Sequence, residues 1–283
     1  MTEATKLSVT LAAAIVVYRS DSQWLETTLA SLAAALKYAH TQNVLVSATV
    51  VLVDNGAATD HSSCADVVYR HFQPGCEWLT ASVLAGHGNI GYGAAHNMAF
   101  ATIGEADYLL ALNPDVDIDM AGIANALACF ADAPDCGMIT PVATGVRGEP
   151  LYLVKDYPAV STLAIRGYAP AFVRGLFRQR LIKYDRADRA FDSVLEDARI
   201  VSGCFMLMRR RVFAAASGFD SAFFLYFEDF DLSFRISVRA RIVRLPSCRI
   251  VHGGGHAAKK GLNHAWMFMR SARRFFSRHG WRW

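Results

Sequence analysis

The 283-residue chain has no acidic residue after Asp231. Residues 232–283 nonetheless carry twelve Lys and Arg, so a body of net charge −8 joins an end of +12, and the overall +4 conceals both. Such a split predicts that the C-terminal part meets something anionic: a phosphate, a nucleic acid or a membrane surface. The other reading is a solvated basic end that binds nothing specific. Charged residues are few, 19% against 53% hydrophobic, which excludes a disordered or fibrous chain. No apolar run approaches the roughly 18 residues that span a bilayer. Leu7 to Tyr18 is the segment closest to a secretory leader, but Glu3 spoils a basic start and Arg19-Ser20-Asp21 follows without a cleavage site. It reads as a buried strand. The six cysteines (Cys64, Cys76, Cys129, Cys136, Cys204 and Cys248) form no C-x-x-C pair, and several lie in apolar segments. Reduced, mostly buried thiols in the cytoplasm are expected, not a zinc site or a disulfide framework.

What is present is strand–helix alternation. Val9–Tyr18, Val44–Val53, Leu79–Leu84, Tyr108–Leu112 and Gly137–Pro141 are short apolar runs that read as buried strands. Between them, helices are expected over Ser22–His40, capped by Asp21, and over Ala65–Phe72, Ala94–Ile103 and Ala121–Ala131. This pattern predicts an α/β fold with a mainly parallel sheet flanked by helices. Residues 145–195, rich in Arg and holding Pro158 and Pro170, read as an insertion or lid. A strand over Ile200–Met208, helices over Arg209–Ser217 and Phe230–Ala240, and two short strands at Arg241–Leu245 and Arg249–His252 complete the pattern.

Five polar constellations follow strand ends or sit in apolar surroundings. Asp54-Asn55-Gly56 ends the second strand, where an acid can hydrogen-bond a ribose or base, although the same triplet makes a good turn. Gly88-Asn89-Ile90-Gly91-Tyr92-Gly93 lets backbone pass close to a ligand ahead of a helix N-terminus. No Gly-Lys-Ser/Thr follows, so it is no P-loop. Nor does a G-x-G-x-x-G follow the first strand, which argues against a dinucleotide site. Asn113-Pro114-Asp115-Val116-Asp117-Ile118-Asp119 offers hard oxygen ligands suited to Mg2+ or Mn2+ with a diphosphate. Glu228, Asp229 and Asp231 lie in an aromatic stretch. Burial there raises a carboxylate's pKa toward that of a neutral-pH general base. Arg235, four residues after Asp231, can pair with it on a helix, leaving Glu228 and Asp229 for chemistry. Finally, His252 ends a short strand beside three glycines, His256 and Lys259-Lys260, a setting for a metal or phosphate.

Taken together, the motifs resemble family 2 glycosyltransferases. They are Val16-Val17-Tyr18, Val53-Asp54-Asn55, Asn89 to Asn97, Leu112-Asn113-Pro114-Asp115, Gly203, Gly218-Phe219-Asp220, Phe224 to Leu232 and His252. The rhamnosyltransferase-like branch that builds bacterial cell-surface polysaccharides is the nearest likeness, and it spans Val9 to about Gly280. The resemblance implies a GT-A fold, a nucleotide-sugar donor, a divalent cation (Mg2+ or Mn2+) and inversion at the anomeric carbon. It places Tyr18, Asp54, Asn55, Asn89, Gly91, Tyr92, Gly93, Asn97, Asn113 and Asp115 around the donor, and Asp115 with His252 on the metal. Asp229 would be the base, with Glu228, Gly203 and Cys204 on the acceptor side. Arg19 stands where many relatives have Asn, Ala95 where a second Gly is common, and Gly-Ala-Ala where relatives have Ala-Ser and a further Asp.

A single domain over 1–265 is expected, with 1–144 as the nucleotide-sugar half and 145–265 as the acceptor half. A basic aromatic helix over 266–283 would follow. The favoured donor is dTDP-rhamnose, and the acceptor a glycan or a polyprenyl-diphosphate-linked glycan. Arg235 to Lys260 would surround the diphosphate. Trp266 to Trp283, with five Arg and six aromatics, would meet an anionic membrane at the inner face of the cell. Nucleic acid is then the least expected partner. The competing readings are a non-catalytic sugar-nucleotide-binding or scaffolding protein and a nucleotide-dependent oxidoreductase.

Overall fold

The computed structural model describes residues 9–56, 61–73, 75–254 and 262–283. Strands β1 (Thr10–Val17), β2 (Ser47–Asp54), β3 (Leu79–Leu84) and β4 (Tyr108–Leu112) are parallel neighbours in the order β3-β2-β1-β4. Apart from β3, whose residues are mostly part-buried, they are buried almost throughout, as expected of a sheet covered on both faces. Helix α1 (Ser22–Thr41) starts where Asp21 caps it, accepting from Gln23 N–H at 2.9 Å and Trp24 N–H at 3.0 Å. Helices α2 (His61–His71), α3 (Tyr92–Thr102) and α4 (Gly122–Asp132) lie near the expected positions.

Beyond β4 the sheet mixes directions. It continues through β11 (Phe205–Arg209), β6 (Cys136–Thr144), β12 (Arg241–His252) and β5 (Val116–Ile118). Strand β11 is antiparallel to both β4 and β6, so the sheet crosses the expected boundary at residue 144 without a break. Minor strands β7 (Pro150–Leu151) and β9 (Leu195–Ala198) join its edge, while β8 (Val154–Lys155) pairs with β10 (Ile200–Val201) as a separate ribbon.

Three expectations need correction. The strand expected over Ile200–Met208 is broken into β10 and β11, because Ser202 N–H donates to Leu153 O and leaves Gly203-Cys204 as a turn. The two short strands at the end are one strand, β12. It carries a register shift between Leu245 and Arg249, where Pro246 has no N–H to donate to a ladder. The helix after the aromatic stretch, α9 (Glu228–Ser237), begins two residues early, so Glu228 and Asp229 lie in its first turn.

Helices α5 (Val160–Tyr168), α6 (Ala171–Leu176) and α7 (Arg178–Tyr184) fill the insertion, and α8 (Arg210–Ala215) follows β11. Helix α10 (Leu262–His279) does not lie free as expected. Its Phe275 and Phe276 are buried with Ile200, Phe223 and Phe227 in one cluster. Each buried Phe contributes about 1.5–3 kcal/mol, so half the helix's aromatic character serves the core.

Candidate active site

The register of the parallel strands builds the site. Val17 pairs with Asp54, and Ile15 pairs with Leu112, so Tyr18, Asp54-Asn55 and Asn113 to Asp115 leave one edge of the sheet together. This carboxyl edge is where α/β sheets take ligands. Asp54 accepts from Gly56 N–H at 2.8 Å. Asn55 donates its backbone N–H to Val17 O at 2.9 Å and its side-chain amide to Gly91 O at 3.2 Å, lashing the Gly-rich loop to β2. Its Oδ1 is buried without a hydrogen-bond partner. Gly91, at φ +92°, passes so close to Phe224 that a Cβ would stand 2.5 Å from the Phe224 carbonyl oxygen, so only glycine fits. Asn89 Oδ1 steadies the turn by accepting from Gly91 N–H at 3.0 Å. Tyr18 is exposed at the rim under the Arg19 guanidinium. Arg19 itself has φ +50°, a left-handed region that Asn tolerates better than Arg.

Not every residue of this loop reaches the cleft. Asn97 spends both ends of its amide on Phe219, donating to its carbonyl at 2.7 Å and accepting from its N–H at 3.0 Å. It clamps the Gly218-Phe219 turn with one N–H and its carbonyl oxygen. Gly93 exists for packing: a Cβ would lie 2.8 Å from Phe219 Cβ. His96 is a core residue among Tyr92, Phe100 and Phe219, and burial lowers its pKa to about 3, so it stays neutral.

The metal-type residues come together through β5 and β12. His252 pairs with Val116 in an antiparallel register, which sets its ring beside Asp115. His252 Nε2 lies 3.3 Å from Asp115 Oδ1, yet both atoms are buried without a hydrogen-bond partner. A Cβ on Gly254 would collide with the Asp115 carboxylate and crowd the imidazole, so this cradle needs glycine. Gly253 N–H donates to Asp115 O at 2.8 Å and holds the loop against it. A partnerless carboxylate oxygen beside a partnerless ring nitrogen fits a divalent cation that draws its other ligands from diphosphate and water. Among the described residues no three metal-type side chains form a closed cage. Asp117 and Asp119 do not join this pair. Asp117 sits on β5 opposite Val251, and Asp119 accepts from Ala121 N–H at 3.0 Å ahead of α4. His256 and Lys259-Lys260 lie outside the described residues.

The second acidic cluster opens α9. Tyr226 and Phe227, at φ +69° and +64°, are left-handed, a strain of about 1–3 kcal/mol each that is typical of functional turns. Asp229 Oδ2 accepts from Gly203 N–H at 2.7 Å and Oδ1 from Phe230 N–H at 2.9 Å. Burial outweighs these bonds and pushes the Asp229 carboxyl up to about 6. Glu228 beside it is buried with Oε2 unpartnered. Burial, then the Asp229 charge, holds it well above the usual carboxylate range. Tyr92 O–H donates to Gly203 O at 2.7 Å, so the Gly-rich loop, Gly203 and Asp229 form one unit. Burial, with smaller contributions from Asp115 and Asp229, raises the Tyr92 hydroxyl and the Cys204 thiol. The backbone of Gly203-Cys204 joins the two acidic clusters, Gly203 N–H donating to Asp229 and Cys204 O accepting from Asn113 N–H. Cys204 itself is buried, with its thiol at about 12, and its carbonyl accepts from Asn113 N–H at 2.9 Å.

Two further results bear on charge. Lys155 is buried on β8 against Asp185, Nζ to Oδ1 2.6 Å, and burial lowers it to about 8. Burial and, in small part, Asp229 raise Tyr184 next to it. Neither residue carries a motif; the only sign in the sequence was a lysine after Leu153-Val154. The described arginines after Asp231 do not gather around a diphosphate as expected. Arg241 pairs with Asp135 and Glu196, both at 2.9 Å, and Arg249 with Asp192 at 3.0 Å. Arg244 donates to the Ala190 carbonyl at 2.7 Å. Arg274 and Arg278 reach Asp220 at 3.3 and 3.0 Å. Four of these arginines thus pair with carboxylates of the body.

The architecture is the GT-A fold of known glycosyltransferases, and by sequence the chain resembles rhamnosyltransferases. It is 24% identical over 220 residues to the N-acetylglucosaminyl-diphospho-decaprenol L-rhamnosyltransferase of Mycobacterium tuberculosis, covering 74% of this chain and 67% of that protein. It is 25% identical over 203 residues to rhamnosyltransferase WbbL of Escherichia coli, covering 68% of this chain and 72% of the relative. Its fold matches GalNAc-T7, solved with UDP, GalNAc and Mn2+, at TM-score 0.61 and 12% identity over 89% of this chain. This chain spans 44% of the length of that structure. No protein-family model matches.

Proposed function

We propose that the chain transfers rhamnose from dTDP-rhamnose, with inversion, to a polyprenyl-diphosphate-linked glycan in cell-surface polysaccharide synthesis at the inner face of the cell membrane. The observation that carries this reading is the Asp229 carboxylate: pinned by two backbone N–H groups, raised to about 6, and set near the Asp115–His252 pair. A carboxyl of that pKa is mostly ionised at neutral pH yet more basic than a free one, as a general base requires. Asp229 takes the proton of the acceptor hydroxyl as its oxygen bonds to the anomeric carbon. The bond from that carbon to the diphosphate breaks on the opposite side, so no covalent enzyme intermediate is needed.

Asp115 and His252 would hold Mg2+ or Mn2+, which supplies positive charge for the departing diphosphate. Asp54, Asn55 and Tyr18 line the nucleoside side of the edge, and Glu228 lies next to the base on the acceptor side. The likeness to two rhamnosyltransferases supports the rhamnosyl donor and, through one of them, a lipid-diphosphate acceptor. A thermal-shift panel of nucleotide sugars with Mn2+ or Mg2+ tests the reading. Cation-dependent stabilisation by dTDP-rhamnose is expected and should vanish in Asp115→Ala. Stabilisation by a UDP-sugar but not by dTDP-rhamnose would overturn the donor.

A further inference from the structure

Helix α6 is a physical oddity. None of its six residues is buried, yet Phe172 is 73% exposed and Leu176 79%. They stand four apart on one face, with Tyr168 just before the helix and Phe177 just after it also exposed. Exposed apolar clusters of this kind mark binding surfaces, since each such side chain in water forgoes its burial energy. Residues 157–184 hold five basic and no acidic side chains, with Asp156 and Asp185 at their borders and Arg166 paired with Asp185 at 3.5 Å. Arg174 and Arg178, beside the exposed apolar pair, are exposed and have no acidic partner among the described residues, as is also true of Arg270 and Arg273 on α10.

We infer that α6 and its flanks are the membrane-docking surface, which seats its apolar residues among the lipids and its arginines on anionic head groups. Apolar side chains ringed by unpaired arginines match the two layers of such an interface. The position suits the purpose. Helix α7 ends at Tyr184, beside the pair that Lys155 of β8 makes with Asp185, and β8 pairs with β10 two residues before Gly203, whose N–H donates to Asp229. A lipid-diphosphate acceptor held at this surface would enter the cleft from the base's side. This inference rests on the lipid-linked acceptor reading above and places a membrane contact on α6 besides the one expected of the basic C-terminal helix.

Co-sedimentation of the full chain with vesicles tests it. Vesicles are phosphatidylcholine alone or mixed with phosphatidylglycerol at about 3:1, to supply negative surface charge. Binding is expected only to the mixed vesicles. It should fall by about tenfold or more in Phe172→Ser/Leu176→Ser and in Arg174→Gln/Arg178→Gln. Thermal stabilisation by dTDP-rhamnose with Mn2+ should stay unchanged in both variants, which shows that they fold. Unchanged vesicle binding in either variant would overturn the inference. So would a wild-type dimer in ultracentrifugation that Phe172→Ser/Leu176→Ser disperses, since the face would then belong to a second copy. Vesicle binding that depends on α6 in a chain that ignores dTDP-rhamnose would support the surface and strike the donor instead.

Discussion

Asp229 and Asp231 stand two residues apart in the first turn of α9, on opposite sides of a functional divide. Asp231 is wholly buried and saturated: Arg235 at 2.6 Å, Arg278 at 3.2 Å and His279 at 2.8 Å close around it. Asp229 has only backbone N–H partners, an unpaired Glu228 beside it and a pKa pushed up to about 6. A buried carboxylate whose oxygens are taken up by two guanidinium groups and an imidazole is a structural bolt. One denied such partners keeps its proton affinity for a substrate. Identical side chains take opposite roles because helix periodicity turns one toward α10 and the other toward the cleft.

The sharpest way to break this comparison is to remove the reactive member. Asp229→Asn should lower kcat by roughly 10²–10⁴-fold with donor binding kept, measured by product formation and by dTDP-rhamnose thermal shift. Removing the bolt should do the reverse. Asp231→Asn leaves Arg235 and its partners unpaired and should cost about 3–5 kcal/mol in urea unfolding, while activity per folded molecule persists. Glu228→Gln acts on pH dependence. Both cleft acids have folded pKa values above their unfolded ones, so the folded state holds more protons and stability falls as pH rises from about 4 through 6 and beyond. That slope should flatten in Glu228→Gln, read as Tm against pH. The smallest effect belongs to Arg278→Gln, whose side chain is 45% exposed at the rim of the bolt, with about 1 kcal/mol or less lost.

The sequence made one half of this picture legible. Strands β1, β2 and β4 are continuous apolar runs with polar groups at their ends, and that pattern alone aligns Tyr18, Asp54 and Asp115 on one edge. The Asp231–Arg235 pair followed from helical spacing, but Arg278 and His279 did not, because they arrive on a distant helix whose aromatics looked free. His252 met Asp115 through strand pairing between β5 and β12, which no local pattern announces. Asn97 reads as a donor contact, and the clamp its amide makes on Phe219 is to a turn far along the chain. The charge split was legible as a count, but not as a set of pairs: five arginines after Asp231 meet carboxylates of the body.

The most direct test of Asp229 as the base is the pH dependence of kcat/KM for rhamnosyl transfer. Asp229 must be ionised to accept a proton, so activity should rise through an apparent pKa of about 6 and level off above it. Asp229→Asn should retain a small, pH-independent rate. A wild-type profile flat down to pH well below 6, or an acid limb that survives in Asp229→Asn, would contradict the account.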